Sequence, residues 1–135
     1  MPINPHIHGL SIRPVFDGNP LSWFSNNGDK GVGFESLNNP QYFNEFSNVD
    51  SFLNLPGISL NNNVKIIRVE NDQPAGSLFY HDHSMRSTKF NVKYGLAGLY
   101  LLYDPNMEAI LPQGNYQKII FFSSTLYDDL RTAKP

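Results

Sequence analysis

Hydrophobic residues along this chain fall into short bursts separated by polar, turn-forming stretches. Val64-Lys65-Ile66-Ile67-Arg68-Val69 alternates between apolar and polar side chains, the period-two pattern of a half-buried strand. Segments 3–10, 77–83, 96–103 and 116–123 are rich in β-branched or aromatic residues and bounded by Gly, Pro or Asn, so each is expected to be extended. One or two helical turns are expected across 84–94, where Met85, Thr88 or Lys89, and Val92 recur at helical spacing. That spacing assigns Met85 to the core rather than to a metal ion as a thioether ligand. Several short strands with turn punctuation predict an all-β sandwich. Across 13–63 the pattern dissolves into DGNP, SNNGDKGVG, LNNP, LNLPG and LNNN. A stretch of that length is no idle connection in a compact domain, and is expected to be a surface excursion with short strands inside it. The lone Trp23, in LSWF, is expected to anchor that excursion by packing.

Composition agrees with this picture: 10 Gly, 10 Pro and only 16% charged residues favour turns and strands over long helices. A length of 135 residues fits one domain, 1–135. With 10 Lys+Arg against 12 Asp+Glu, the formal net charge of -2 lacks the basic excess that a nucleic-acid or anionic-membrane surface needs. No stretch approaches the roughly 18 apolar residues of a membrane span. The opening MPINPHIHGL has neither a basic n-region nor an apolar h-region, so no signal peptide is read and the residues do not fix a compartment. The count of 0 Cys removes disulfides, zinc-thiolate sites, iron–sulfur clusters and cysteine nucleophiles together. No Gly-x-Ser-x-Gly elbow supports a hydrolase, and YGLAGLY lacks the Lys-Ser/Thr of a phosphate loop.

What stands out is where the 4 His lie: two His-x-His pairs, His6/His8 and His81/His83. Random placement gives two such pairs roughly once in a thousand or two sequences of this length, which tells against four unrelated surface or core histidines. In a strand, residues i and i+2 share a face, with Cβ atoms roughly 6.5 to 7 Å apart. That separation is awkward for both rings of a pair on one ion and natural for two neighbouring ions, or for meeting a second pair across an interface. Two such strands side by side would form a carpet of four imidazoles, with Ile7, Tyr80 and Asp82 on the other face. Neutral imidazole suits copper, zinc, nickel or iron, and copper leads the divalent affinity order.

HIHGL, RPVFDGNPLSWF, AGSLFYHDHSM and NVKYGLAGLYLLYDP, in this order, resemble the first cupredoxin domain of multicopper oxidases, most closely the branch of spore-coat laccases and bilirubin oxidases. The likeness covers residues 6 to about 127. It implies a cupredoxin-like Greek-key β-sandwich and an oxidoreductase that passes electrons from an organic or metal substrate to O2. By the same resemblance His6 would ligate a type 2 copper, His8 and His81 one type 3 copper, and His83 the other. Asp17 would stand where this branch keeps a carboxylate that delivers protons; read from the residues alone, it is equally a turn residue of an Asp-Gly pair. An extracytoplasmic or cell-surface setting is also implied.

The departures from the family pattern are as informative. The family's other cluster ligands come from a C-terminal His-x-x-His-x-His and a His-Cys-His element, whose Cys also holds the type 1 copper; neither is found here. The first His-x-His stands almost at the start, where the family carries several strands. The chain is thus expected to supply half of the trinuclear ligands and no type 1 site. It would be inactive alone and lean on a C-terminal cupredoxin domain or chain, and on N-terminal strands from elsewhere. The competing expectation is a structural assembly subunit that keeps the fold without oxidase activity.

Overall fold

The computed structural model describes residues 1–34, 65 and 67–124. Among them are five strands, β1 (Pro2–Ile3), β2 (Pro5–His8), β3 (Phe24–Ser25), β4 (Gly76–Asp82) and β5 (Ala97–Leu102). Two short helices, α1 (Thr88–Lys93) and α2 (Pro105–Glu108), and single 3-10 turns at Pro14–Phe16 and Gly114–Tyr116 complete the set. Strands β2, β4 and β5 form an antiparallel sheet in the order β2-β4-β5, and β1 pairs antiparallel with β3. The regular elements among the described residues are thus chiefly strands in antiparallel sheets, with few and short helices, the all-β class expected from the sequence.

Register decides which side chains meet. His6 lies opposite His81, Ile7 opposite Tyr80, and His8 opposite Phe79; on the far side of β4, Tyr80 faces Gly98. Alternation then sends the histidines to one face, and Ile7, Tyr80 and Asp82 to the other. Gly98 is needed there because a Cβ at that position would stand 2.6 Å from Tyr80 Oη. The Tyr80 ring fills the space.

Among the described residues the buried hydrophobic side chains are Ile7, Leu10, Phe16 and Phe24, while the largest fully buried side chains are Asn4, Asn91 and Ser84. A hydrogen-bonded polar knot therefore sits behind the sheet, where an apolar cluster is the usual filling. Asn4, the residue between β1 and β2, donates its N–H to Asp82 Oδ1 at 2.7 Å, so the chain turns from one sheet to the other against a carboxylate.

Several expected elements differ from those observed. Of segment 64–69, Val64 and Ile66 lie outside the described residues, and Lys65 and 67–69 belong to no strand. Segment 116–123 is not a strand either: Tyr116 closes a 3-10 turn, the residues after it pair with no described strand, and Ile119, Ile120, Phe121 and Phe122 are exposed. Strand propensity reflects packing on a pleated surface, and no described strand offers these residues a ladder. Met85 is 47% exposed in the turn before α1, which corrects its expected core role. Helix α1 docks through Asn91 instead, its one buried residue. Within the excursion, 13–34 contains the Pro14–Phe16 turn and β3, and 35–63 lies outside the described residues. Trp23 is partly buried near its start and accepts the Gly31 N–H on its carbonyl at 2.8 Å. No helix of the described residues is long and apolar enough to cross a membrane.

Candidate metal centre

Alternation along β2 and β4, combined with the His6–His81 register, gathers all four histidines on one face. The His6 ring centroid lies 5.4 Å from His8, 5.3 Å from His81 and 4.8 Å from His83. His81 lies 5.7 Å from His8 and 5.6 Å from His83. His83 follows the last residue of β4, and its N–H donates to Asn4 O at 2.8 Å, which holds it in line with the strand. Nitrogen atoms of His6, His8 and His81 fall within 4.8 Å of one another. Such a group could hold a metal ion, whose bonds to imidazole nitrogen run about 2.0–2.1 Å.

Three of the rings are aimed by backbone carbonyls. His6 Nδ1 lies 2.6 Å from Asp17 O, His81 Nδ1 2.7 Å from Asp82 O, and His83 Nδ1 2.9 Å from Gly18 O. A carbonyl oxygen only accepts, so each Nδ1 carries the proton and each Nε2 presents its lone pair. Metal-binding histidines are fixed in the same way, by a partner on the ring nitrogen away from the ion. His8 is held differently: it stacks on Phe79, with centroids 4.7 Å apart and planes at 16°. Phe79 stacks on His81 as well, at 5.3 Å and 23°. One aromatic ring thus supports two imidazoles.

The turn that supplies two of these carbonyls depends on glycine. The Pro14–Phe16 turn runs into Asp17 and then Gly18, whose φ is +77°. A Cβ on Gly18 would stand 2.7 Å from His6 Cβ and 2.8 Å from Pro5 O. Without a side chain, residue 18 can lie flat against β2 and present its own carbonyl and that of Asp17 to the rings. The Asp17 side chain is 43% exposed, and its Oδ1 lies 3.1 Å from His6 Nδ1. Asp17 therefore touches one histidine with its carbonyl while its carboxylate reaches solvent.

Burial lowers the His81 pKa below its ordinary value of 6.5, and repulsion from charged His6, His83 and His8 acts in the same direction; the Asp82 carbonyl bond opposes them. A lowered pKa keeps the ring neutral, the form that binds a metal ion. Beside His81 runs a groove of about 830 Å³ walled by Phe79, Val92, Ala97, Phe121 and Phe122. Two contributors went unnoticed in the sequence. Phe79 lies two residues before His81, so alternation alone places it on the histidine face. The polar knot of Asn4, Asp82, Ser84 and Asn91 has a fainter signal, the charged residue inside HDH that alternation must turn inward.

No family model matches the chain. Curated relatives do. The laccase of Bacillus subtilis (strain 168) is 28% identical over 126 residues, 92% of this chain and 19% of the laccase. A multicopper oxidase of Arabidopsis thaliana is 28% identical over 102 residues, 76% of this chain and 13% of its own length. The bilirubin oxidase of Albifimbria verrucaria is 51% identical over 45 residues, 33% of this chain and 8% of the oxidase. The chain thus spans under a fifth of the length of these relatives. This likeness over most of the chain, carried on an antiparallel all-β framework of the cupredoxin kind, relates the protein to the multicopper oxidase family.

Proposed function

We propose that the chain is the copper-binding part of a multicopper oxidase, supplying His6, His8, His81 and His83 as half of the ligands of a trinuclear copper cluster. The observation that carries this reading is the convergence of the four imidazoles on one sheet face, three with Nδ1 committed to a carbonyl, which leaves Nε2 the nitrogen with the lone pair. An all-imidazole donor set with no thiolate fits copper, which leads the affinity order for nitrogen ligands. In this reading His6 ligates the type 2 ion, His8 and His81 one type 3 ion, and His83 the other. Copper held there would reduce O2 to water with electrons drawn from an organic or metal substrate through a type 1 copper elsewhere.

This chain's own residues would orient and protonate. The Asp17 and Gly18 carbonyls fix the His6 and His83 rings, and the Asp82 carbonyl fixes His81. Asp17 carries protons from solvent toward the site on its partly exposed carboxylate, whose Oδ1 is 3.1 Å from His6 Nδ1. The remaining ligands come from a cupredoxin domain bearing His-x-x-His-x-His and His-Cys-His, in the same polypeptide or another. Exposed Phe79, Val92, Phe121 and Phe122 beside the cluster suit burial against such a domain.

The test is reconstitution with a domain of that kind. Assembly is expected to yield oxidase activity and about three coppers beyond the type 1 ion. The double variant His81→Ala/His83→Ala is expected to assemble with neither. Equal activity and copper content in the double variant would refute the ligand assignment. A native assembly devoid of copper would favour a structural subunit in its place.

A further inference from the structure

The face of β4 opposite the histidines carries a second arrangement. Asp82, set between His81 and His83, is 4% exposed, and its carboxylate accepts four hydrogen bonds. Oδ1 receives the Asn4 N–H at 2.7 Å and the Ser84 hydroxyl at 2.7 Å. Oδ2 receives the Ser84 N–H at 3.1 Å and the Asn91 side-chain amide at 2.9 Å. All four of these donors are neutral, and among the described residues no ion pair holds the carboxylate.

Those donors reach several parts of the histidine site. Asn4 adjoins β2, accepts the His83 N–H on its carbonyl at 2.8 Å, and donates Nδ2 to Asn19 O at 2.5 Å, beside the Asp17–Gly18 carbonyls. Asn91 ties α1 to the start of β1 through Pro2 O at 2.7 Å. Both acceptors of the Asn91 amide are oxygens without hydrogen, which fixes its orientation and leaves Asn91 Oδ1 buried without a partner. Asp82 also uses its backbone carbonyl to hold His81 Nδ1. Asp82 thus joins the β1–β2 corner, the end of β4 and α1 behind the sheet, and through Asn4 the residue after the Asp17–Gly18 turn, while aiming a ring in front of it.

We infer that Asp82 is a positioning residue for the metal centre: its buried carboxylate fixes the backbone carbonyls and strand ends that hold His81 and His83 by Nδ1 and so leave Nε2 as the nitrogen with the lone pair. The inference deepens the copper reading and rests on it for the identity of the ion; the orienting role itself is readable without metal. Asp82→Asn keeps the shape and spoils the donors' target. With its amide nitrogen at the Oδ1 place it faces the Asn4 N–H, and at the Oδ2 place the Ser84 N–H; neither backbone donor can reverse.

The experiment compares the full chain with Asp82→Asn by the ring ¹⁵N shifts of the metal-free proteins above the imidazole titration range, then by Cu(II) titration. In the parent chain His81 and His83 are expected as single Nδ1-protonated tautomers. In the variant both are expected to become tautomer mixtures, with copper bound about 10-fold to 100-fold more weakly, as for other partners that orient metal ligands. If Asp82→Asn does not fold, Ser84→Ala, which removes a single hydroxyl donor, is read instead, with a smaller shift in the same direction. Unchanged His81 and His83 tautomers in a folded variant, with copper affinity within twofold of the parent, would overturn the inference. A parent chain that binds no copper, with the tautomers still disturbed by Asp82→Asn, would refute the copper reading and leave the positioning role supported.

Discussion

Asp17 and Lys65 show how two charged side chains of this protein take on different work from their surroundings. Asp17 has two oxygen functions near His6: the carbonyl, which fixes the ring, and the carboxylate, which is partly exposed. Asp17→Asn keeps the first and removes the second. In a reconstituted oxidase it is therefore expected to retain copper content while lowering the rate of oxygen reduction by about 10²-fold to 10⁴-fold, the range of a lost acid–base group. Loss of copper in parallel with rate would instead mark Asp17 as a purely structural residue. Lys65 reaches Asn4 Oδ1 at 2.5 Å and Ser22 O at 3.3 Å, and burial lowers its pKa from 10.5 to about 8. Between these values the unfolded chain binds more protons at residue 65 than the folded one, so Lys65 makes the unfolding free energy rise with pH across that window and costs stability below it. Lys65→Met is expected to flatten the rise in urea unfolding between pH 8 and 10.5; a slope equal to the parent's would contradict this.

At the level of elements, the histidine pairs were legible because a period-two spacing inside HIH and HDH fixes their common face. The His6–His81 register was not, since it depends on where β2 meets β4 and on the Asn4–Asp82 bond that closes the corner. Strands β4 and β5 were readable from their apolar and aromatic runs. Segment 116–123 misled for the same reason: Ile119, Ile120, Phe121 and Phe122 have strand propensity, and propensity does not supply a partner strand. Helix α1 was found by periodicity with the wrong buried side, because what docks it is Asn91 on a carboxylate and not an apolar stripe. The Asp-Gly pair was visible as a turn, though not its contact with His6. Gly18→Ala is expected to cost about 1–3 kcal/mol, the scale of a strained positive-φ residue, and to disturb the His6 and His83 rings. Gly114 provides the contrast: its φ is +63° but nothing lies within 4 Å of an added Cβ, so Gly114→Ala strains the backbone and leaves the histidines alone. Denaturant melts and ring ¹⁵N shifts of the two variants check both halves; equal effects on the rings would contradict the close packing of Gly18 on β2.

At the scale of the whole molecule, the described residues divide into a front face of imidazoles, a polar knot behind it, and exposed apolar surface at its side. The knot ties the site together through hydrogen bonds, and the apolar surface supplies a reason for a neighbour. That division explains how a chain spanning 19% of a related laccase still brings four imidazoles to one place. It also explains why the chain by itself is expected to hold copper weakly: by the proposed assignment only His8 and His81 serve the same ion. The central claim is that these imidazoles are copper ligands, and pulsed electron paramagnetic resonance of the Cu(II)-loaded chain tests it most directly. Coupling to imidazole nitrogens is expected in the parent and is expected to vanish when His6, His8, His81 and His83 are all replaced by Ala. An indistinguishable spectrum and affinity in that variant would contradict the account.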